Sequence, residues 1–177
     1  RISDLLAEPA PANQRMKSVE VARPSNSLSD KLWELVEPQL AGGGEINIES
    51  PIRTSDRTVG ARIAGYLTSY RSSGPVLMST VSLRFRGIAG QSFCAFGVDG
   101  MAVSLEGEAN DYVGKGLSGG RIAIFPDRTS KAEAQQVIAG NTILYGATGG
   151  DVFIAGSVGE RFAVRNSGAT LVVEGLG

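Results

Sequence analysis

Short stretches of alternating apolar and polar residues recur through most of the chain. Their apolar positions are Val81-Leu83-Phe85, Met101-Val103-Leu105, Ile122-Ile124, Val152-Ile154 and Leu171-Val173. Alternation with a period of two predicts half-buried β-strands, and Gly or Pro at a fixed position after each stretch predicts its end. These end positions are 87, 107, 126, 156 and 175, so they are spaced by 20, 19, 30 and 19 residues. The regular spacing predicts an internal repeat.

A second set of alternating residues lies half a period away and shows the same spacing of 19, 30 and 19. Its members are Cys94-Phe96, Val113-Lys115, Ile143-Tyr145 and Phe162-Val164. One excursion of about eleven residues over 127–136 explains why both sets are interrupted at the same place. Two short strands in each repeat predict an all-β domain with the architecture of a parallel β-helix, or solenoid. The columns predicted to point inward are Leu83, Val103, Ile122, Val152 and Leu171 on one wall, and Cys94, Val113, Ile143 and Phe162 on another.

Two helices are predicted before the repeat. Val59, Ile63, Leu67 and Tyr70 follow helical spacing after Asp56, which is the predicted N-cap of a helix over 56–70. Leu28, Leu32, Leu35 and Val36 predict a second helix, with Ser27 and Asp30 as its capping box and Pro38 as its end. The chain is therefore divided into an N-terminal arm, residues 1–44, and a β-helix domain, residues 45–177. Prolines within residues 1–26 predict an extended linker or a strap over a neighbour.

Charge and composition exclude several classes of function. The chain has 17 Lys and Arg against 18 Asp and Glu, so it lacks the basic footprint of a nucleic-acid-binding or membrane-surface protein. With no histidine and only Cys94, it has neither histidine-based catalysis nor a disulfide framework. The absence of a long apolar run predicts no membrane span and a cytoplasmic location. Because the chain opens on Arg1, we interpret it as a domain of a longer polypeptide.

Glycine makes up 24 of the 177 residues, about twice its usual share of ~7%. Gly114, Gly116 and Gly119 match the spacing G-x-G-x-x-G, which in dinucleotide-binding proteins precedes a helix whose N-terminus holds the phosphates. The β-rich sequence RIAIFP follows here instead. We therefore interpret Gly114, Gly116, Gly119 and Gly120 as backbone corners of the repeat.

Lys115 lies between two of these glycines. Strict alternation would place its side chain inside, where its charge would need a carboxylate such as Asp99 or Asp111. The alternative, which we favour, is a structural corner that turns the side chain outward.

Asp99, Glu106, Glu108 and Asp111 could form a carboxylate cluster for calcium or glycoside chemistry, but scattered surface acids are the favoured interpretation. Cys94 is expected to be a small core residue.

Arg161, Arg165 and Asn166 form a polar string in the segment GERFAVRNSGA. Two interpretations remain open for it: a docking surface, or solvated corners in which Asn166 binds its own turn.

Several long segments resemble the C-terminal GXGXG domain of the glutamate synthase large subunit. They are SDRTVGARIAG, GIAGQSFCAF, LEGEANDYVGKGLSGGRIAI, GNTILYGATGGDVF and GERFAVRNSGATLVVEG, in that order. The resemblance implies a right-handed parallel β-helix without an active site or bound cofactor of its own. It also implies two partner modules: a glutamine amidotransferase, and an FMN-binding synthase barrel with an iron-sulfur cluster.

The resemblance leaves open whether the chain is a domain of a full synthase or a separate small subunit. A related β-helix occurs in the C subunit of formylmethanofuran dehydrogenase, which is one alternative. A free-standing nucleotide- or sugar-binding β-helix is another.

Overall fold

The computed structural model describes residues 27–73, 79–127 and 136–177, and for residues 70–73 it describes the backbone only. In chain order its elements are α1 (Leu28–Leu40), β1 (Gly44–Ile52), α2 (Ala61–Ser73), β2 (Ser79–Ala89), β3 (Met101–Ala109), β4 (Ser118–Phe125), β5 (Val137–Ala139), β6 (Gly149–Val158) and β7 (Thr170–Leu176). The described strands form one sheet in the order β1-β2-β3-β4-β6-β5, with β7 also paired to β6. All pairings are parallel. The prediction of a strand-rich domain with two helices is therefore confirmed.

The strands stack in the register predicted from the repeat. Leu83, Val103, Ile122, Val152 and Leu171 are successive partners across five strands. A second column contains Leu105, Ile124 and Ile154, and these three side chains are at most 2% exposed. The spacing of about nineteen residues and the single step of thirty are thus properties of the fold.

The excursion lies between β4 and β6, as predicted. Residues 128–135 of it fall outside the part of the chain that the structure describes. After the excursion, β5 pairs with Ala109 of β3 and with the end of β6. The chain therefore resumes the same repeat after the inserted residues.

Glycine does not end the strands in the way the sequence suggested. β2, β3, β6 and β7 each run past the glycine that was expected to terminate them. At Gly87 and Gly107, φ is +129° and +139°, and a Cβ on Gly107 would overlap the carbonyl oxygen of Gly87. Because glycine has no Cβ, these two residues can adopt a positive φ while the backbones of adjacent strands lie in close contact. Only β4 ends as predicted, at Phe125 before Pro126.

Both predicted helices are present, but their ends differ from prediction. The Ser27–Asp30 capping box begins α1, whereas Pro38 lies inside the helix and does not end it. α2 begins at Ala61 and not at a cap on Asp56, because the Asp56 carboxylate accepts the Arg53 amide at 2.8 Å and closes a turn of its own. Within the described residues, neither helix is long and apolar enough to cross a membrane.

The helix α1 packs into the same core as the strands. Leu32, Val36 and Leu40 of α1 belong to one buried cluster with residues from β1 to β6. Trp33 also stacks on Tyr66 of α2, with ring centroids 3.7 Å apart. The described part of the predicted arm is thus joined to the body by apolar packing, whereas residues 1–26 lie outside the described part.

Candidate functional site

The second set of alternating residues forms turns, so its prediction as strands is wrong. We call residues 92–97, 112–117, 142–147 and 161–166 the four turn segments. In each, every second residue has a φ between 52° and 66°, in the left-handed region: Ser92, Cys94, Phe96; Tyr112, Gly114, Gly116; Thr142, Leu144, Gly146; and Arg161, Ala163, Arg165. Strands require strongly negative φ. The side chains do not alternate as in a strand, because the consecutive residues Phe93, Cys94 and Ala95 are all buried whereas Phe96 is 55% exposed.

Backbone hydrogen bonds join each turn segment to the next. The amides of Phe96, Gly116 and Gly146 donate forward along the chain to the carbonyls of Lys115, Tyr145 and Val164, at 2.8 to 2.9 Å. The amides of Gly114, Leu144 and Ala163 donate backward to the carbonyls of Phe93, Val113 and Ile143, at 2.8 to 2.9 Å. Because some amides of a turn segment donate to the next segment and others to the previous one, each of the two inner segments is hydrogen-bonded to both of its neighbours. The turn segments therefore form a stack beside the sheet.

Gly114 and Gly116 occupy two of the left-handed positions, with φ of 61° and 64°. A Cβ on Gly114 would lie 2.8 Å from a methyl group of Leu144, inside the core. A Cβ on Gly116 would lie 2.9 Å from the ring of Phe96, on the outside. Both positions thus favour glycine for two reasons: the backbone is left-handed, and a Cβ would be too close to a neighbouring side chain.

Gly119 and Gly120 lie in the first residues of β4. A Cβ on Gly119 would overlap the carboxylate of Asp99, and Gly120 has a φ of +79°. The segment that contains these two glycines and continues beyond them is the strand β4, Ser118–Phe125. The strand-loop-helix geometry that holds a dinucleotide phosphate is not formed at this motif.

Lys115 lies on the outer side of its turn segment and is half-buried. Its ammonium group lies 5.7 Å from the centre of the Tyr112 ring. The alternative of an inward lysine paired with Asp99 or Asp111 is wrong: Asp99 accepts the Gly120 amide at 3.3 Å, and Asp111 accepts the Asn141 amide at 2.7 Å.

Polar side chains that immediately precede the turn segments, which the sequence analysis missed, form a ladder at one corner. The carboxylate of Asp111 accepts the backbone amide of Asn141, and the side-chain oxygen of Asn141 accepts the backbone amide of Glu160 at 2.9 Å. These residues are separated by 30 and 19 positions, the spacing of the repeat itself. Comparing polar residues at that spacing would have revealed them.

The four carboxylates considered as a cluster serve separate structural bonds. Glu106 accepts two hydrogen bonds from the Arg86 guanidinium, at 2.8 and 3.1 Å, and Glu108 accepts one from Gln136 at 3.0 Å. Asp99 and Asp111 bind backbone amides, as described above. Within the described residues, no group of three or more His, Cys, Asp or Glu is arranged to hold a metal ion.

Cys94 is a core residue, as predicted. It is 1% exposed, and burial raises the pKa of its thiol from the usual 9.0 to about 12. Since the thiolate is the reactive form of cysteine, the folded protein holds this group inert at neutral pH.

Arg161 and Arg165 are exposed, and Asn166 is half-buried. Arg161 borders an open groove of about 610 Å³ with Tyr112 and Glu160, while the guanidinium of Arg165 lies 6.0 Å from the centre of the Tyr145 ring. The Asn166 side chain accepts the Ala169 amide at 2.9 Å and donates to the Ala169 carbonyl at 3.0 Å. Asn166 is therefore engaged in its own loop, and the two arginines face solvent.

Residues 28–177 match the model of the GXGXG motif family, and the chain belongs to that family.

Similar proteins include three glutamate synthases. The chain is 46% identical to the glutamate synthase [NADPH] large chain of Azospirillum brasilense over 153 residues, 86% of this chain and 10% of that protein. It is 47% identical to glutamate synthase [NADH] of Saccharomyces cerevisiae over 148 residues, 83% of this chain and 7% of that protein. It is 53% identical to ferredoxin-dependent glutamate synthase 2 of Synechocystis sp. over 125 residues, 70% of this chain and 8% of that protein. The chain thus spans a tenth or less of the length of these relatives.

Proposed function

We propose that the chain is a non-catalytic organising domain or subunit of a glutamate-synthase-type enzyme, built as a right-handed parallel β-helix. The observation that carries this proposal is the match of 70% to 86% of the chain to glutamate synthases, at 46% to 53% identity. Parallel strands spaced by 19 or 20 residues, with one longer excursion, support the β-helix architecture, as do the stacked turn segments.

A structural role is supported by the hydrogen bonds that several polar side chains make to the backbone. Asp99, Asp111 and Asn141 bind backbone amides of neighbouring segments, and the Cys94 thiol is buried with a raised pKa. Groups that hold a stack together in this way are not poised for proton transfer or nucleophilic attack. The chemistry of glutamate formation would therefore belong to other modules.

The proposed partners are a glutamine amidotransferase module and an FMN-binding synthase module with an iron-sulfur cluster, encoded in the same polypeptide or separately. The chain itself would bind none of these cofactors. A rigid stack suits the task of holding two modules at a fixed separation, so that ammonia released in one reaches the other. We propose a cytoplasmic location, because that is where such nitrogen assimilation would have its substrates.

Segment replacement in a relative tests this function. Residues 28–177 would replace the matching segment of the Azospirillum brasilense large chain, and a Gly/Ser linker of equal length would replace it in a control. We expect the chimera, with the partner subunits of that enzyme, to retain glutamine-dependent glutamate formation with close to one ammonia used per glutamine hydrolysed. The linker control is expected to lose that coupling.

Two outcomes would overturn the proposal. One is a soluble, cooperatively folded chimera whose two activities are both present but uncoupled. The other is a linker control that couples the two reactions as well as the unmodified enzyme does.

A further inference from the structure

One outer surface of the turn stack combines exposed aromatic and apolar side chains with cations. We call it the turn face, and its side chains are Phe96, Tyr112, Lys115, Tyr145, Val164 and Arg165. Phe96 is 55% exposed, Val164 39% and Tyr112 38%. Contiguous exposed aromatic residues on a folded surface commonly mark an interaction site.

The stacking of the turn segments makes these side chains one continuous surface. The Phe96 amide bonds to the Lys115 carbonyl, and the Gly116 amide bonds to the Tyr145 carbonyl. The Phe96 ring lies against Gly116, where a Cβ would be only 2.9 Å away. Glycine at 116 therefore lets the ring of one turn segment lie across the next.

The cations of the turn face differ from those on the outer face of the sheet. On the sheet, Arg84 pairs with Glu49 at 3.2 Å, Arg86 with Glu106 at 2.8 Å, and Arg121 with Asp151 at 3.7 Å. Each strand cation in those pairs is matched by a carboxylate of this chain.

On the turn face the cations lie over aromatic rings and not beside carboxylates, whereas Arg121 of the sheet has both Asp151 and the Phe153 ring as neighbours. Lys115 lies over Tyr112 and Arg165 over Tyr145, at 5.7 and 6.0 Å. Among the described residues, neither has a carboxylate partner within ion-pair distance. Acidic groups do lie nearby at the corner, but Asp111 is engaged with the Asn141 amide.

The turn face is also preorganised. Its backbone is held by bonds between segments, and Lys115 and Arg165 are each placed by a cation–π contact. A surface that is ordered before binding loses less conformational entropy when a partner docks. Its chemistry of aromatic rings beside cations suits a partner surface with apolar and acidic side chains.

We infer that the turn face docks an acidic protein surface on a neighbouring module, with Lys115 and Arg165 paired to carboxylates of that module. This inference rests on the proposed function. Single-stranded nucleic acid also stacks on aromatic rings beside cations. Two cations on a chain of net charge −1 supply little phosphate neutralisation, so the protein surface is favoured.

Zero-length cross-linking in the complete chimera tests the contact directly. A carbodiimide joins a lysine amine to a carboxylate only when the two groups touch. We expect peptide mapping to find Lys115 joined to Asp or Glu of another module, and Lys115→Arg to abolish that product, because a guanidinium does not form the amide. Lys31, an exposed lysine on α1, is the reference for non-specific coupling. Cross-links at Lys31 with none at Lys115 would overturn the inference.

Charge reversal gives a second, functional test. Lys115→Glu with Arg165→Glu is expected to weaken ammonia coupling about tenfold, because like charges would then face each other across the contact. The matched control, Arg84→Glu with Arg121→Glu, makes the same change of charge on the outer sheet face and should leave coupling unchanged. Equal effects of the two pairs would overturn the inference.

The two proposals fail separately. If the unmodified chimera couples normally while both turn-face tests are negative, the docking face is wrong and the organising function stands. If the unmodified chimera does not couple, the function itself is wrong. A turn face that binds a fluorescent 15-nucleotide single strand, with binding lost on Lys115→Glu and Arg165→Glu, would replace the protein partner with nucleic acid.

Discussion

At the residue scale, the unusual feature of this chain is how often ordinary residues adopt left-handed backbone conformations. Among described non-glycine residues with positive φ, every one except Thr58 lies in a turn segment. A left-handed residue with a Cβ costs roughly 1–2 kcal/mol. The bonds between turn segments and the burial of Cys94 and Leu144 must offset that cost.

Gly114 and Gly146 form a matched pair for measuring close contacts. Both have positive φ, 61° and 66°, but a Cβ on Gly114 would meet Leu144 at 2.8 Å, whereas one on Gly146 would meet nothing within 4 Å. We expect Gly146→Ala to lower the free energy of unfolding by about 1–2 kcal/mol. Gly114→Ala should cost about 1–3 kcal/mol more, because it also overpacks the core. Urea unfolding of both variants measures the difference, and equal losses would show that strain alone requires glycine.

The buried thiol gives a pH prediction. The pKa of Cys94 is about 12 in the folded protein, against a usual 9.0. As pH rises above 9.0, the unfolded thiol loses its proton first, so the native state loses stability by up to about 1.4 kcal/mol per pH unit until the folded thiol also ionises. Below pH 9.0 the thiol has no such effect. The decline of unfolding free energy between pH 9 and 11 should therefore be smaller in Cys94→Ala than in the unmodified chain.

At the scale of the elements, the sequence predicted β2, β3, β4, β6 and β7, because inward positions alternate along each of them, but it did not predict β1 or β5. The pairing of Leu83 with Val103 and Ile122 followed from spacing alone. The turn segments were wrongly predicted as strands, because the apolar pattern does not report the left-handed φ that every second residue of these segments adopts. The start of α2 was missed because Asp56 binds the Arg53 amide in a local turn, and no helical periodicity reports such a competing bond.

Truncation of Ile124 tests the predicted column. Its side chain is 1% exposed and lies between Leu105 and Ile154. We expect Ile124→Ala to lower the free energy of unfolding by about 2–5 kcal/mol through lost burial and the cavity left behind. Val172→Ala, on the outer face of β7 at 53% exposure, is the control and should cost under about 1 kcal/mol. A small loss at Ile124 would mean that its side chain is not in the core.

At the scale of the whole molecule, the central question is how far one cooperative unit extends. The sequence predicted a boundary between residues 44 and 45, because the glycine-rich segment AGGGE at 41–45 separates the N-terminal arm from the body. In the structure, α1 shares its core with the strands through Leu32 and Val36, both at most 1% exposed. An ion pair between Asp30 and Arg62 and the Trp33–Tyr66 stack also join α1 to α2. These long-range contacts could not be read from local periodicity.

Because of that shared core, we expect α1 and the sheet to unfold together in a single transition. Leu32→Ala should then lower the midpoint of the whole transition, with a loss of about 2–5 kcal/mol. Leu35→Ala, on the same helix but 54% exposed, should change the midpoint little. The measurement is urea unfolding followed in parallel by Trp33 fluorescence, which reports α1, and by far-ultraviolet circular dichroism, which reports the strands as well. If Leu32→Ala moves only the fluorescence transition and leaves the other unchanged, α1 is a separate unit, and the boundary predicted from the sequence is the correct one.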